Sequence, residues 1–167
     1  MCAQFMIRSK LDLLAKHYHA RISAEFDWKP HVFPRYTAPV ITAEKKNRLI
    51  RPMAFGLIPF FEKNEKPKKV FHNARAETLS EKISFKKAYA SQRCLVPLDS
   101  FFEYIWDTET HNWLAEVYEK DHGLLTAAGI WNTWSLHRVS ESTRFQLSQP
   151  SPIHLLKRWA MTAPQYF

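Results

Sequence analysis

The order of periodicities along this chain predicts an α+β domain, with a helix near the N-terminus and a sheet built mainly of antiparallel strands. Three observations carry that expectation. Helical spacing of apolar residues occurs early and again over 78–92. From Arg93 onward, short apolar or alternating runs succeed one another at strand length. Turn residues punctuate those runs closely enough for neighbouring strands to pair. With 167 residues, no internal repeat and no low-complexity tract, residues 1–167 read as a single domain.

Ile7, Leu11, Leu14 and Tyr18 make one helical stripe, and Ser9 and Asp12 stand in capping-box positions ahead of it. Pro30, Pro34 and Pro39 then break further helix, so residues 24–45 are expected as loop with short extended pieces. Arg51 to Phe61 reads as a buried strand ending at Pro59. The stretch after it, Glu62 to Lys69, reads as a solvated loop whose Lys63, Lys66, Lys68 and Lys69 are in reach of phosphates. Residues 78–92 are expected to be helical, capped by Thr78 or Ser84. Cys94–Val96, Phe101–Trp106, Trp113–Tyr118 and Leu124–Trp131 are the strand candidates. Asp121-His122-Gly123 supplies a turn that should join the last two as a hairpin.

Composition narrows the partners. Twenty-four Lys and Arg against sixteen Asp and Glu give a formal charge of +8, which favours an anionic partner, nucleic acid foremost. Aromatic residues at 14% suit base stacking, although most such rings belong in a core. No apolar run is long enough to span a bilayer, and the start lacks signal-peptide order, so a cytoplasmic, nucleoid-associated monomer is expected. Two cysteines and scattered histidines offer no metal-ligand spacing, so neither metal nor organic cofactor is expected.

Three segments carry chemistry. Removal of Met1 would leave Cys2 with a free α-amine, reference pKa about 7.7–8.0, beside a thiol near about 8.5, both partly nucleophilic at neutral pH. Such a 1,2-aminothiol captures an aldehyde as an imine and then closes a thiazolidine ring. Taken alone, Cys2 reads more readily as an accident of a frayed terminus. Asn73 to Leu79 (NARAETL) suits phosphate binding or orientation of a small group, or simply a turn with Arg75 paired to Glu77 and Thr78 as a cap. Glu103 lies among Phe101, Phe102, Tyr104 and Ile105. A carboxylate there either has a raised pKa and serves as a general acid and base, or points outward or bonds Arg93. Cys94 sits in an apolar strand and reads as a buried small hydrophobe.

Together these segments resemble the SOS-response-associated peptidase (SRAP) family. The matching stretches are Met1–Phe5 (MCAQF), Phe55–Pro59 (FGLIP), Asn73–Thr78 (NARAET), Arg93–Tyr104 (RCLVPLDSFFEY) and Ala128–Trp131 (AGIW). The resemblance implies an antiparallel sheet curled into a barrel-like core with flanking helices and a basic groove for single-stranded DNA. It further implies a covalent thiazolidine crosslink between Cys2 and the ring-opened sugar of an abasic site, and self-processing at the N-terminus. By position, Cys2 is the nucleophile, Asn73 holds the N-terminus or the sugar, Glu103 shuttles protons and Arg75 meets phosphate. Phe55, Arg51, Lys68 and Lys69 stand with Arg75 as expected DNA contacts.

The chain also departs from the family pattern. Ala3 and Gln4 replace Gly-Arg, Phe55 replaces Trp and Ser100 replaces Gly. The tail is altered and is expected to be shortened at the C-terminus. Ile153-His154 followed by Arg158 is the nearest counterpart of the family's catalytic His, so His154 is the remaining candidate acid. Two rival readings stay open: a single-stranded DNA binder without chemistry, and a cysteine-dependent peptidase or amidohydrolase using Cys2.

Overall fold

In the computed structural model the described residues are 3–64, 66–106, 111–136 and 140–149. In chain order they form β1 (Phe5–Met6), α1 (Leu11–Tyr18), β2 (Ala20–Ile22), β3 (His31–Val32), β4 (Thr37–Glu44), β5 (Asn47–Phe55), β6 (Asn73–Arg75), a 3-10 turn (Ala76–Thr78), α2 (Lys86–Ser91), β7 (Arg93–Leu98), β8 (Ser100–Trp106), β9 (Asn112–Tyr118), β10 (Leu125–Leu136) and β11 (Ser140–Gln149).

Seven strands make the larger sheet, in the order β2-β5-β4-β7-β10-β11-β6. A second pairing of β5 with β11 closes five of them into a barrel. The remaining four form a smaller sheet, β3-β1-β8-β9. Most pairings are antiparallel, but the closing seam of β5 with β11 is parallel, with Arg144 opposite Ala54 and Phe145 opposite Phe55. The expected α+β architecture with a barrel-like antiparallel core is the one observed.

The barrel closes because alternate residues of its strands are apolar and point inward. Val40, Met53, Phe55, Val96 and Phe145 are all essentially unexposed and belong to one cluster, which Phe5 joins from the smaller sheet. Burying each such side chain stabilises the fold by roughly 1.5–3 kcal/mol. A second cluster, on the other side of β10 and β11, packs Leu57, Ala74, Leu79, Phe85, Ala88 and Ile130 under α2.

Several expectations change. The N-terminal stripe does fold as a helix, burying Leu11, Leu14 and Tyr18, but its N-cap is Lys10 and makes no side-chain cap bond. The Ser9 hydroxyl instead donates to Asp99 Oδ1 at 2.9 Å, and the Asp99 carboxylate also accepts the amides of Arg8 and Ser9. The region expected as loop, 24–45, contains β4, a central barrel strand. Residues 78–92 hold only α2, preceded by the 3-10 turn. Trp113–Tyr118 and Leu124–Trp131 do not form a hairpin together. β9 pairs with β8 in the smaller sheet, and β10 pairs with β7 and β11 in the larger one. The turn is real, with His122 at φ 52 and its amide donating to Glu119 O, but it carries the chain from one sheet to the other.

Candidate functional site

β1 determines where the start of the chain runs. Phe5 lies opposite Val32 on one side and Phe101 on the other, so this two-residue strand is held in the interior of the smaller sheet. The Phe102 amide donates to Gln4 O at 3.1 Å, which continues the antiparallel register beyond Phe5. Carried one residue further, that register puts Ala3 opposite Glu103. Cys2, next in sequence, lies outside the described residues, as does His154.

Glu103 is half-buried on β8, across from Ala115 of β9. Strand alternation gives it the same face as Phe101, which packs against the barrel cluster around Phe5. Asn73, half-buried, opens β6 and lies opposite Leu147 in parallel register, while the Leu147 amide donates to His72 O at 3.0 Å. Residues directly opposite share a face, so Asn73 faces the side of Leu147, also part of that cluster. Ala74 turns the other way, into the second cluster. Asn73 and Glu103 therefore sit on strands whose faces converge on the same apolar body. Arg75, two residues on from Asn73, is exposed at the end of β6.

The other expected contacts divide. Lys68 and Lys69 are exposed; the Glu62 carboxylate is held below its usual pKa range first by the Asn64 amide and side chain and, to a smaller extent, by the backbone amides of Lys69 and Lys68. Arg51 is not a free cation. Its Nη2 lies 3.2 Å from Glu44 Oε2 on β4, and this pairing offsets its field. Phe55 is not a stacking surface. It has no exposed area; its ring stacks on Phe145 at 5.2 Å and meets Phe5 edge-on at 5.1 Å. A ring that completes the barrel core cannot also present its face to a base.

The two thiols separate by burial. Cys94 is buried on β7, and burial pushes its pKa up to about 12, so it stays a protonated thiol at neutral pH. This agrees with its reading as a small core hydrophobe.

Sequence reasoning missed a cationic group around Gly56, just past the end of β5. Arg35 has a left-handed backbone (φ 73), fixed by its amide donating to Phe55 O at 2.6 Å. Arg144 is half-buried on β11; its Nη1 reaches Gly56 O at 3.4 Å and its Nε donates to Ser142 Oγ at 3.0 Å. His72 abuts Gly56 so closely that a Cβ there would meet its ring at 3.1 Å and Val70 at 2.6 Å. Gly56, at φ +119, is thus required both by backbone and by space. The His72 pKa is lowered by burial and by Arg35, and that of Arg144 is lowered by the same two causes in the same order. These residues are far apart in sequence and form no motif.

A family model described as SOS response associated peptidase (SRAP) matches residues 1–148. The chain belongs to the SRAP family. Among similar SRAP proteins, the abasic site processing protein YoqW of Bacillus subtilis (strain 168) is 32% identical over 138 residues, covering 81% of this chain and 62% of that protein. The abasic site processing protein HMCES of Rattus norvegicus is 34% identical over 83 residues, covering 42% of this chain and 24% of that one. The SRAP chain thus spans under two thirds of the length of these curated relatives. A crystal structure of a protein from Bordetella bronchiseptica shares the fold, with a TM-score of 0.73 and 24% identity over 87% of this chain and 70% of that one. One from Bacteroides thetaiotaomicron does so at 0.72 and 24%, over 87% and 66%. No helix among the described residues of this SRAP chain is long and apolar enough to cross a membrane.

Proposed function

We propose that this SRAP chain processes abasic sites in single-stranded DNA by forming a thiazolidine crosslink through Cys2. The observation that carries this reading is the β1–β8 register, which leads the chain start along the strand bearing Glu103 and places Ala3 opposite that carboxylate. The names of its relatives point to the same substrate. The depth of Cys94 removes the other thiol from consideration.

The chemistry needs only the aminothiol and a proton carrier. With Met1 removed, the Cys2 α-amine adds to the aldehyde carbon of the ring-opened sugar, and water leaves to give an imine. The thiol sulfur then adds to the imine carbon, its proton passes to the nitrogen, and a five-membered ring closes. The sum is aldehyde plus aminothiol giving thiazolidine plus water. Glu103 delivers the proton that the departing water needs and can return it during reversal. Asn73 holds the amine or the sugar, and Arg75 meets a flanking phosphate. His154 is the second candidate for proton transfer. Ring closure also protects the DNA, because an imine left open leads on to β-elimination and strand cleavage.

The test is to mix purified protein with single-stranded DNA containing one abasic site and resolve the mixture on a denaturing gel, with intact-mass analysis reporting whether Met1 is gone. The expected result is a heat- and SDS-resistant band that Cys2→Ala abolishes and Glu103→Gln slows. Folded protein with Met1 removed that gives no such band would overturn the crosslinking mechanism.

A further inference from the structure

We propose that Arg35, Arg144 and His72 form a seat for a phosphate group beside Gly56. The seat is assembled by the barrel closure. Arg35 leads into β4, Arg144 lies on β11 opposite Ala54 of β5, and His72 immediately precedes β6. The Arg35 backbone amide is anchored on Phe55 O and the Arg144 guanidinium on Gly56 O, so both residues are tied to adjacent carbonyls. Among the described residues no carboxylate pairs with either guanidinium, whereas Arg8 pairs with Glu116 and Arg51 with Glu44. Two guanidiniums gathered without an acid repel one another, and an anion between them reverses the sign of that interaction, with the neutral His72 ring free to donate a hydrogen bond to it.

A second, independent observation marks the same place. Buried polar groups are normally hydrogen-bonded. Here the His72 Nε2 is buried without a partner, and so are both ends of the Gln146 amide, on a side chain with no exposed area. Gln146 is two residues along β11 from Arg144, on the same face. Asn132, directly opposite Arg144 on β10, spends its Nδ2 on Ile58 O and leaves Oδ1 buried and unpartnered. Unsatisfied amides, which rotate to donate or accept, ring a half-buried arginine at this one place. That is the chemistry of a site for a small oxyanion and its water, and Arg supplies the forked donor geometry that phosphate oxygens match.

The phosphate group has two possible sources, a phosphodiester of bound DNA or free phosphate. The first rests on the reading that this SRAP chain works on DNA, and the second does not. Two measurements on the full chain separate them. Melting temperature is followed against inorganic phosphate at constant ionic strength. Binding of a fluorescent oligothymidylate without any abasic site is followed across a salt series. Wild type is compared with Arg35→Gln, Arg144→Gln and Arg144→Lys.

If the seat takes a phosphodiester, each Gln variant weakens oligothymidylate binding by about threefold to tenfold. The slope of log affinity on log salt then falls by roughly 0.7 per arginine removed, and Arg144→Lys retains most of that slope. If it takes free phosphate, wild type melts higher with phosphate, the Gln variants do not, and DNA binding is unchanged. Arg35 is exposed, so Arg35→Gln tests the seat even if Arg144→Gln fails to fold. Neither response in wild type and a folded Arg35→Gln variant overturns the seat. Because no aldehyde is present, that result is distinct from failure of the Cys2 crosslink.

Discussion

Truncating the ring of Phe55 separates a core role from a DNA-contact role. The side chain has no exposure and lies between Phe5, Phe145 and His72, at centroid distances of 5.1, 5.2 and 5.6 Å. Phe55→Ala removes a fully buried phenyl group and leaves a cavity that the barrel cannot collapse, because β5 is bonded to β4 and also to β11 at this point. Such truncations cost about 3–5 kcal/mol. Each lost aromatic pair adds roughly 0.5–1.5 kcal/mol beyond area, so the upper end of that range applies. For a chain of this size, about 2–4 °C of melting temperature goes with each kcal/mol, which gives a fall of roughly 8–20 °C. The assay is urea and thermal unfolding of the full chain followed by tryptophan fluorescence, with oligonucleotide binding measured at a temperature where both proteins are folded. The expected outcome is a large loss of stability and near-normal affinity in the surviving folded fraction. An unchanged unfolding midpoint with lost affinity would refute the core assignment and return Phe55 to the DNA surface.

Three further outcomes follow from the packing. Gly129→Ala places a Cβ at 2.7 Å from Gln146 O and 2.9 Å from Cys94 Sγ, on a strand flanked by β7 and β11. It should lower stability by about 1–3 kcal/mol in urea titrations, and a loss below about 0.5 kcal/mol would show that β10 can give way. Cys94, with its thiol pushed up to about 12 by burial, should react with a thiol reagent at pH 8 only upon unfolding. In a Cys2→Ala background, fast labelling under native conditions would contradict that burial. The Glu116 pKa is lowered from 4.5 by the Ser100 hydroxyl and then by Arg8, so Glu116 contributes stability above that value and loses it as pH falls through the folded pKa. Glu116→Gln should therefore flatten the acid limb of the stability profile below pH 4.5, and identical limbs would show that this network does not tie β9 to the chain start.

The contiguous motifs were readable because their chemistry is local. NARAET and the Arg93–Glu103 stretch carry their residue types side by side, and the structure places them on β6, β7 and β8, as strands or strand entries. The stripe of Leu11, Leu14 and Tyr18 was readable because period sets burial. β4 was hidden by its own proline. Pro39 lies opposite Pro52 of β5, and two prolines can face each other only at a pair that exchanges no N–H bonds, so the ladder tolerates both. Partner choice was hidden as well, since alternation in Trp113–Tyr118 shows that a strand has two faces but not which strand lies beside it. Phe55 was misread because an aromatic in a motif looks the same whether it stacks on a base or on Phe145. The Arg35–Arg144–His72 group was out of reach altogether, because only barrel closure makes those residues neighbours.

That closure also orders events during synthesis. The parallel seam joins β5 to β11, pairing Ala54 and Phe55 with Arg144 and Phe145 far along the sequence, and β11 is the last of the described strands to leave the ribosome. Until Phe145 emerges, Phe5 and Phe55 lack their third ring and the edge of β5 near Phe55 has no partner. A nascent chain in that condition exposes both an apolar trough and an open strand edge, the two features that recruit chaperones and seed aggregation. The fold therefore cannot be acquired piecemeal from the N-terminus. A ribosome that stalls before β11 holds an unclosed sheet, and release of β11 becomes the step that closes the barrel.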